Sequence, residues 1–366
     1  MAQPEPADTP QPTSRLDGYD DLFAANVLLV TGKGGVGKTT AAASLALAAA
    51  ASGRNTLLVD VEGRQGFQRL FNTGPWDYTE HEFRPGLWGV ALDPTESVYE
   101  YLELFYGIKR VQWVMERSNA LDFVTTAAPG LRDLLLIGKV YEIEARRRAD
   151  GRREYDTIIV DAPPTGRIVP FLKSPEAVTE IVRVGPIRRQ SGNISKMLHD
   201  PKRVRAVMVT LLEEMPVQEA TEGLQALSDA SISVGPIIAN QVETPRLQPR
   251  HLAALQTAGA TELAAIAADA GANMSGRTAQ VTLALAEAHV GRVGLQLKLR
   301  EAMANSIDLP LLALPLLSSP TFEAADMAVL ADTLALQVGE DGPHATEQLD
   351  AAAIAALTGS SDRTGE

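Results

Sequence analysis

The chain has 366 residues, and 33 Lys+Arg against 46 Asp+Glu give a formal net charge of −13. With 45% hydrophobic residues it can bury a sizeable core, which argues against wholesale disorder, and the acidic balance argues against broad-surface nucleic-acid binding. The absence of cysteine excludes disulfides, thiolate metal sites, iron–sulfur clusters and cysteine nucleophiles.

Residues 1–22 read as a disordered leader, since prolines and acidic groups stand where a signal peptide needs a basic start and an apolar stretch. The small-residue run at 41–51 is mostly alanine and far short of the roughly 20 apolar residues that span a bilayer, so a cytoplasmic protein is expected. Residues 26–31 form an apolar β-type run ending in glycines, followed by an alanine-rich helical stretch to about residue 52 and a second run at 55–60. Strand, glycine turn, helix and strand make a βαβ unit. Further strands are predicted at 87–92, 157–160, 204–210, 232–239 and 309–314, separated mainly by helical segments. That alternation predicts an α/β fold with a mostly parallel central sheet covered by helices on both faces.

The main domain is expected over residues 23–340. A helical insertion is expected at about 94–150, with apolar spacing in Val98, Tyr101, Leu102 and Phe105 and again in Leu131, Leu134, Leu135 and Ile137. More helices are expected at about 175–200 and 245–306, the latter broken near Gly271 and Gly291. Residues 341–366 form a C-terminal tail with room for a short helix and a polar end.

Gly32-Lys33-Gly34-Gly35-Val36-Gly37-Lys38-Thr39 fits G-x-x-x-x-G-K-[ST] between a strand and a helix, the context that a phosphate-binding loop requires. Its glycines let backbone N–H groups turn toward phosphate oxygens, and the following helix N-terminus favours negative charge. Lys38 would contact the β- and γ-phosphates of a nucleotide, Thr39 would offer a hydroxyl to Mg²⁺, and Thr40 completes the cradle. The β-branched run at 157–160 delivers Asp161 at its carboxyl end, the placement expected of a second Mg²⁺-associated group. Asp60 and Glu62 follow the second strand and share a side if the extended geometry persists, so either could orient water near the γ-phosphate. Asn240, at the end of the run 236–239, offers one acceptor and two donors that match an adenine edge.

The second lysine at the front of the loop resembles the deviant Walker A of the ParA, MinD and ArsA ATPases. The segment Asp161-Ala162-Pro163-Pro164-Thr165-Gly166-Arg167 resembles switch II of the ArsA and tail-anchored-protein targeting ATPases, and so points to the ArsA-like branch, particularly its actinobacterial members. The resemblance implies Mg²⁺-dependent ATP hydrolysis at the interface of a homodimer or of a heterodimer with a paralogue, coupled to dimer opening and closing and to a protein client or membrane-protein partner. It also implies that Lys33 reaches the nucleotide of the other subunit, where it would neutralise charge on the transferred phosphoryl group as an arginine finger does. Glu62 aligns with the family's water-holding Asp, Asn240 with its adenine-binding Asn, and Pro315 with a loop beside the base. Ala128-Pro129-Gly130-Leu131 also resembles part of the family's helical region.

Two departures narrow the expectation. Without cysteine the chain cannot sense arsenite through thiolates, nor tie a dimer with zinc through a C-x-x-C pair. Tyr99, Tyr101, Phe105, Tyr106 and Trp113 either line a client groove or pack the insertion's own core, and Met115 and Met197 are the few methionines there. The arginines at 146, 147, 148, 152 and 153 read as a solvated charged face. Alternative readings are a ParA/MinD-like positioning ATPase and, with less support, a P-loop small-molecule ligase. No nucleic-acid partner and no zinc are expected.

Overall fold

Runs rich in Val, Ile and Leu and bounded by polar turns form all but one of the eight strands, because side chains buried on both faces of a parallel sheet favour β-branched and aliphatic residues. The eight are β1 (Val27–Gly32), β2 (Thr56–Asp60), β3 (His81–Arg84), β4 (Leu87–Ala91), β5 (Thr157–Asp161), β6 (Val204–Leu211), β7 (Val234–Val242) and β8 (Leu311–Pro315). The spatial order is β3-β4-β2-β5-β1-β6-β7-β8, and every pairing is parallel except β3 with β4. β1 therefore stands between β5 and β6, so its C-terminal loop lies beside the ends of both.

This computed structural model describes residues 16, 19–63, 66–106, 130–181, 185–319, 322 and 324–338. Most of the expected leader, the side chains at 101–106, all of 107–129 including Trp113, Met115, Ala128 and Pro129, and the tail 341–366 lie outside the described residues.

The helices are α1 (Tyr19–Leu22), α2 (Lys38–Ala51), α3 (Gly66–Phe71), α4 (Pro94–Tyr106), α5 (Leu131–Ala145), α6 (Thr165–Ile181), α7 (Pro186–Leu198), α8 (Glu214–Asp229), α9 (Pro249–Asp269), α10 (Gly276–Ser306) and α11 (Ala324–Gln337). One apolar cluster joins one face of the sheet to α5, α6, α7 and α8 through Leu136, Ile168, Met197 and Leu227. The other joins the opposite face to α2, α3 and α11 through Leu45, Phe67 and Leu330. Helices thus cover both faces, as the alternation predicts.

Several elements depart from expectation. β3, His-Glu-Phe-Arg, lacks a β-branched run and exists by antiparallel pairing at the sheet edge. The helix expected from 175 begins at Thr165, its start masked in sequence by Pro170 and Pro175 inside it. The break near Gly271 is present, but α10 runs through Gly291, and an additional kink falls at Gly259 (φ 71°, ψ 178°) within α9. A glycine inside a helix costs only about 1 kcal/mol, too little to stop a 31-residue helix. Residues 19–22, expected to belong to the leader, form α1 with Leu22 buried against the second cluster. Met197 is wholly buried in the first cluster.

The arginine cluster is not a simple solvated face. Arg146 pairs with Glu80 and Glu142, while Arg153 and Arg203 both clamp Glu144, whose side chain is fully buried. Arg152 does remain exposed.

Candidate nucleotide and metal site

β1 ends at Gly32, the loop turns through residues 33–37, and α2 starts at Lys38. Gly37 is the N-cap of α2 in the left-handed region (φ 86°), and a Cβ there would collide with Asn240 Nδ2. The same Nδ2 donates to the Val36 carbonyl over 2.8 Å, a buried bond from the end of β7 to the loop. Gly32 lies so close to the Val209 carbonyl on β6 that only hydrogen fits. Gly34 and Gly35 are exposed, with open space where a Cβ would stand. The loop is thereby pinned by β6 and β7 before any phosphate arrives, which limits the ordering cost of binding.

Lys38 is buried, and its Nζ donates to the Lys33 carbonyl over 3.4 Å. The Lys33 ammonium forms a 2.5 Å ion pair with Glu219 Oε1 on α8. Thr40 sits half-buried in the first turn of α2, where its carbonyl accepts from Ser44.

Thr39 Oγ1 donates to Asp161 Oδ2 over 2.6 Å. Asp161 Oδ1 is buried without a hydrogen-bond partner. Burial pushes the Asp161 carboxyl up to about 6, with the nearby Asp60 and Glu62 carboxylates adding to the rise and Thr39 and Lys38 opposing it. An orphaned anionic oxygen beside a threonine hydroxyl at the mouth of a phosphate loop has the hard-oxygen chemistry that a Mg²⁺–water shell requires. The residues present therefore fit the ion.

Asp60 Oδ1 accepts the backbone N–H groups of Glu62 (3.0 Å) and Gly63 (2.8 Å), so this carboxylate shapes the turn after β2. Glu62 stands half-buried on that turn and adds to the charge felt by Asp161. Pro315 closes β8 opposite Val242, two residues beyond Asn240, with Leu316 N–H donating to the Val242 carbonyl. Lys33, Lys38, Thr39, Asp60, Glu62 and Asp161 are gathered at the carboxyl ends of β1, β2 and β5, and Asn240 and Pro315 at the ends of β7 and β8.

Three contributors were not singled out in sequence. Thr31 Oγ1 donates to the Pro163 carbonyl over 2.7 Å, tying β1 to the segment after Asp161. Glu219 and Gly223 lie on α8, some 180 residues beyond the loop, and no local signal marks them. A β-strand threonine and a helical glutamate are too common to stand out.

Residues 25–197 match the family described as anion-transporting ATPase. ATPase BagA of Mycobacterium tuberculosis is 43% identical over 237 residues, which are 63% of this chain and 69% of that protein. The chain belongs to the anion-transporting ATPase family. More distantly, the arsenical pump-driving ATPase of Acidiphilium multivorum is 25% identical over 61% of this chain and 40% of its own length. ATPase GET3 of Eremothecium gossypii is 26% identical over 59% of this chain and 71% of its own.

Proposed function

We propose that the chain is a Mg²⁺-dependent ATPase that binds ATP on the loop from Gly32 to Thr40, closes as a homodimer or with a paralogous chain, and opens after hydrolysis to work on a protein or transport partner. The observation that carries this reading is the buried, unpartnered Asp161 Oδ1 next to the Thr39 hydroxyl, at the mouth of a preformed loop.

In this reading the loop N–H groups hold the β- and γ-phosphates while Lys38 leaves the Lys33 carbonyl to contact them. Thr39 and Asp161 would hold the Mg²⁺ and its water shell, which offsets phosphate charge. Glu62 orients the attacking water, because Asp60 is already spent on the turn. Water oxygen bonds to the γ-phosphorus as the bond to the β–γ bridging oxygen breaks, leaving ADP and inorganic phosphate. Lys33, released from its own subunit, stabilises the transferred group in the partner's site. Asn240 and Pro315 border the base. ATP supply places this work in the cytoplasm, and among the described residues no helix is long and apolar enough to cross a membrane.

The test is ATP turnover per subunit with Mg²⁺ over a wide range of concentrations of the purified protein. Turnover should rise with concentration and fall at least about 100-fold in Lys33→Ala, with nucleotide still bound, while Lys38→Ala loses nucleotide binding. Turnover in Glu62→Gln at the wild-type rate would remove Glu62 from the water-positioning role. A flat, negligible rate with nucleotide bound would mean that a paralogue or client completes the site.

A further inference from the structure

Lys33 is the residue asked to leave its own chain, yet it is held there. Its ammonium meets Glu219 at 2.5 Å, with the lysine side chain 40% and the glutamate 31% exposed. Its carbonyl meanwhile receives the Lys38 ammonium. Both loop cations thus rest on acceptors of the same chain, and any phosphate must compete for them.

The element that carries Glu219 is tied to the metal-side segment as well. Glu219 and Gly223 are one helical turn apart and share a face of α8. At Gly223 the helix presses against Thr165, the first residue of α6 and the fourth after Asp161. A Cβ at this position would lie 2.9 Å from Thr165 Cγ2 and 3.1 Å from Met208 Cε. A shift of the segment from Asp161 to Thr165 would therefore bear on α8 at Gly223, where the approach leaves no room for a side chain, and through α8 on the Lys33–Glu219 pair.

We propose that Glu219 is a positioning residue for Lys33: its carboxylate parks the ammonium on its own subunit, and hydrolysis requires that ammonium to move from Glu219 to phosphate. The inference rests on the ATPase reading above and deepens it, since it names what sets the availability of the leading lysine. A half-exposed ion pair of this kind biases such a choice by roughly two- to fivefold, enough to tune the site without blocking it.

The experiment compares wild type, Glu219→Gln, Glu219→Asp, Lys33→Ala and the double variant Lys33→Ala/Glu219→Gln. Steady-state turnover is measured against both MgATP and protein concentration, and binding of a fluorescent ATP analogue is measured in parallel. Glu219→Gln should lower the protein concentration for half-maximal turnover by roughly two- to fivefold. Glu219→Asp, which keeps the charge, should stay closer to wild type, and in the Lys33→Ala background Glu219→Gln should change nothing. Indifference to Glu219→Gln overturns the proposal. So does an effect that persists without Lys33, which would reduce Glu219 to a general negative field, and so does a loss of turnover, which would make Glu219 a guide toward phosphate. Failure of wild type to bind the analogue would instead remove the ATPase reading and this inference with it.

Discussion

Asp161 shows what a buried carboxylate at the end of β5 costs the fold. Its carboxyl is raised to about 6 by burial, with Asp60 and Glu62 adding to the rise, from an ordinary value of 3.8. The folded chain therefore binds this proton more tightly than the unfolded chain does between those values. In that window stability falls as pH rises, and above about pH 6 the whole penalty remains. A rise of this size corresponds to roughly 2–3 kcal/mol. Asp161→Asn keeps an acceptor for Thr39 without the buried charge, so the metal-free variant should be more stable than wild type by up to about 2–3 kcal/mol at pH 7 while losing ATP turnover. Urea unfolding at pH 7 and pH 4 checks this: the gain should nearly vanish at pH 4, and a variant less stable than wild type at pH 7 would contradict it. The placement of Lys33, Lys38, Thr39 and Asp161 at the ends of β1 and β5 was legible in sequence, because a glycine loop between strand and helix is a local pattern and a strand-end aspartate has a recognisable setting. Glu219 was not, because its meaning comes from a partner 186 residues away.

At the scale of elements, the Glu144 clamp ties α5 to the segments just before β5 and β6. Burial alone would raise the Glu144 carboxyl, but hydrogen bonds and charge from Arg203 and Arg153 overcome it and hold the group below its ordinary value. Because the folded value is depressed, the stabilisation is present above the unfolded value near 4.5 and is lost as pH falls through the folded one. Arg203→Ala should cost about 2 kcal/mol at neutral pH, since Arg153 remains to share the buried charge, and less at a pH well below the ordinary 4.5. Denaturant unfolding at both values decides it, and a cost independent of pH would mean that the lost packing over Tyr141, not the charge pair, was responsible. The seven strands rich in Val, Ile and Leu were readable because a parallel sheet buried on both faces leaves continuous apolar runs. β3 was not, since pairing with β4 rather than its own residues makes it a strand. The strand order that puts β5 beside β1, and so Asp161 beside Thr39, was likewise beyond local pattern.

For the whole molecule the net charge sets a test of how two subunits of the proposed dimer would meet. Two copies of a chain at −13 repel each other over the range of the Debye length, about 30 Å at 0.01 M salt and about 8 Å at 0.15 M. Closure across the nucleotide would be driven at short range, by packing and by Lys33 against phosphate, and a contact sheltered from solvent is screened far less than the long-range field. Raising salt from about 0.02 to 0.2 M should therefore lower the protein concentration needed for half-maximal turnover several-fold. The Lys33–Glu219 pair, being half-exposed, weakens over the same range and pushes in the same direction, so Glu219→Gln should show a smaller salt response than wild type. Turnover titrations at two salt concentrations, with MgATP saturating, read both effects. If salt instead raises the half-maximal concentration, attraction between unlike surfaces governs association, and a homodimer of this acidic chain yields to a pairing with a partner of complementary charge.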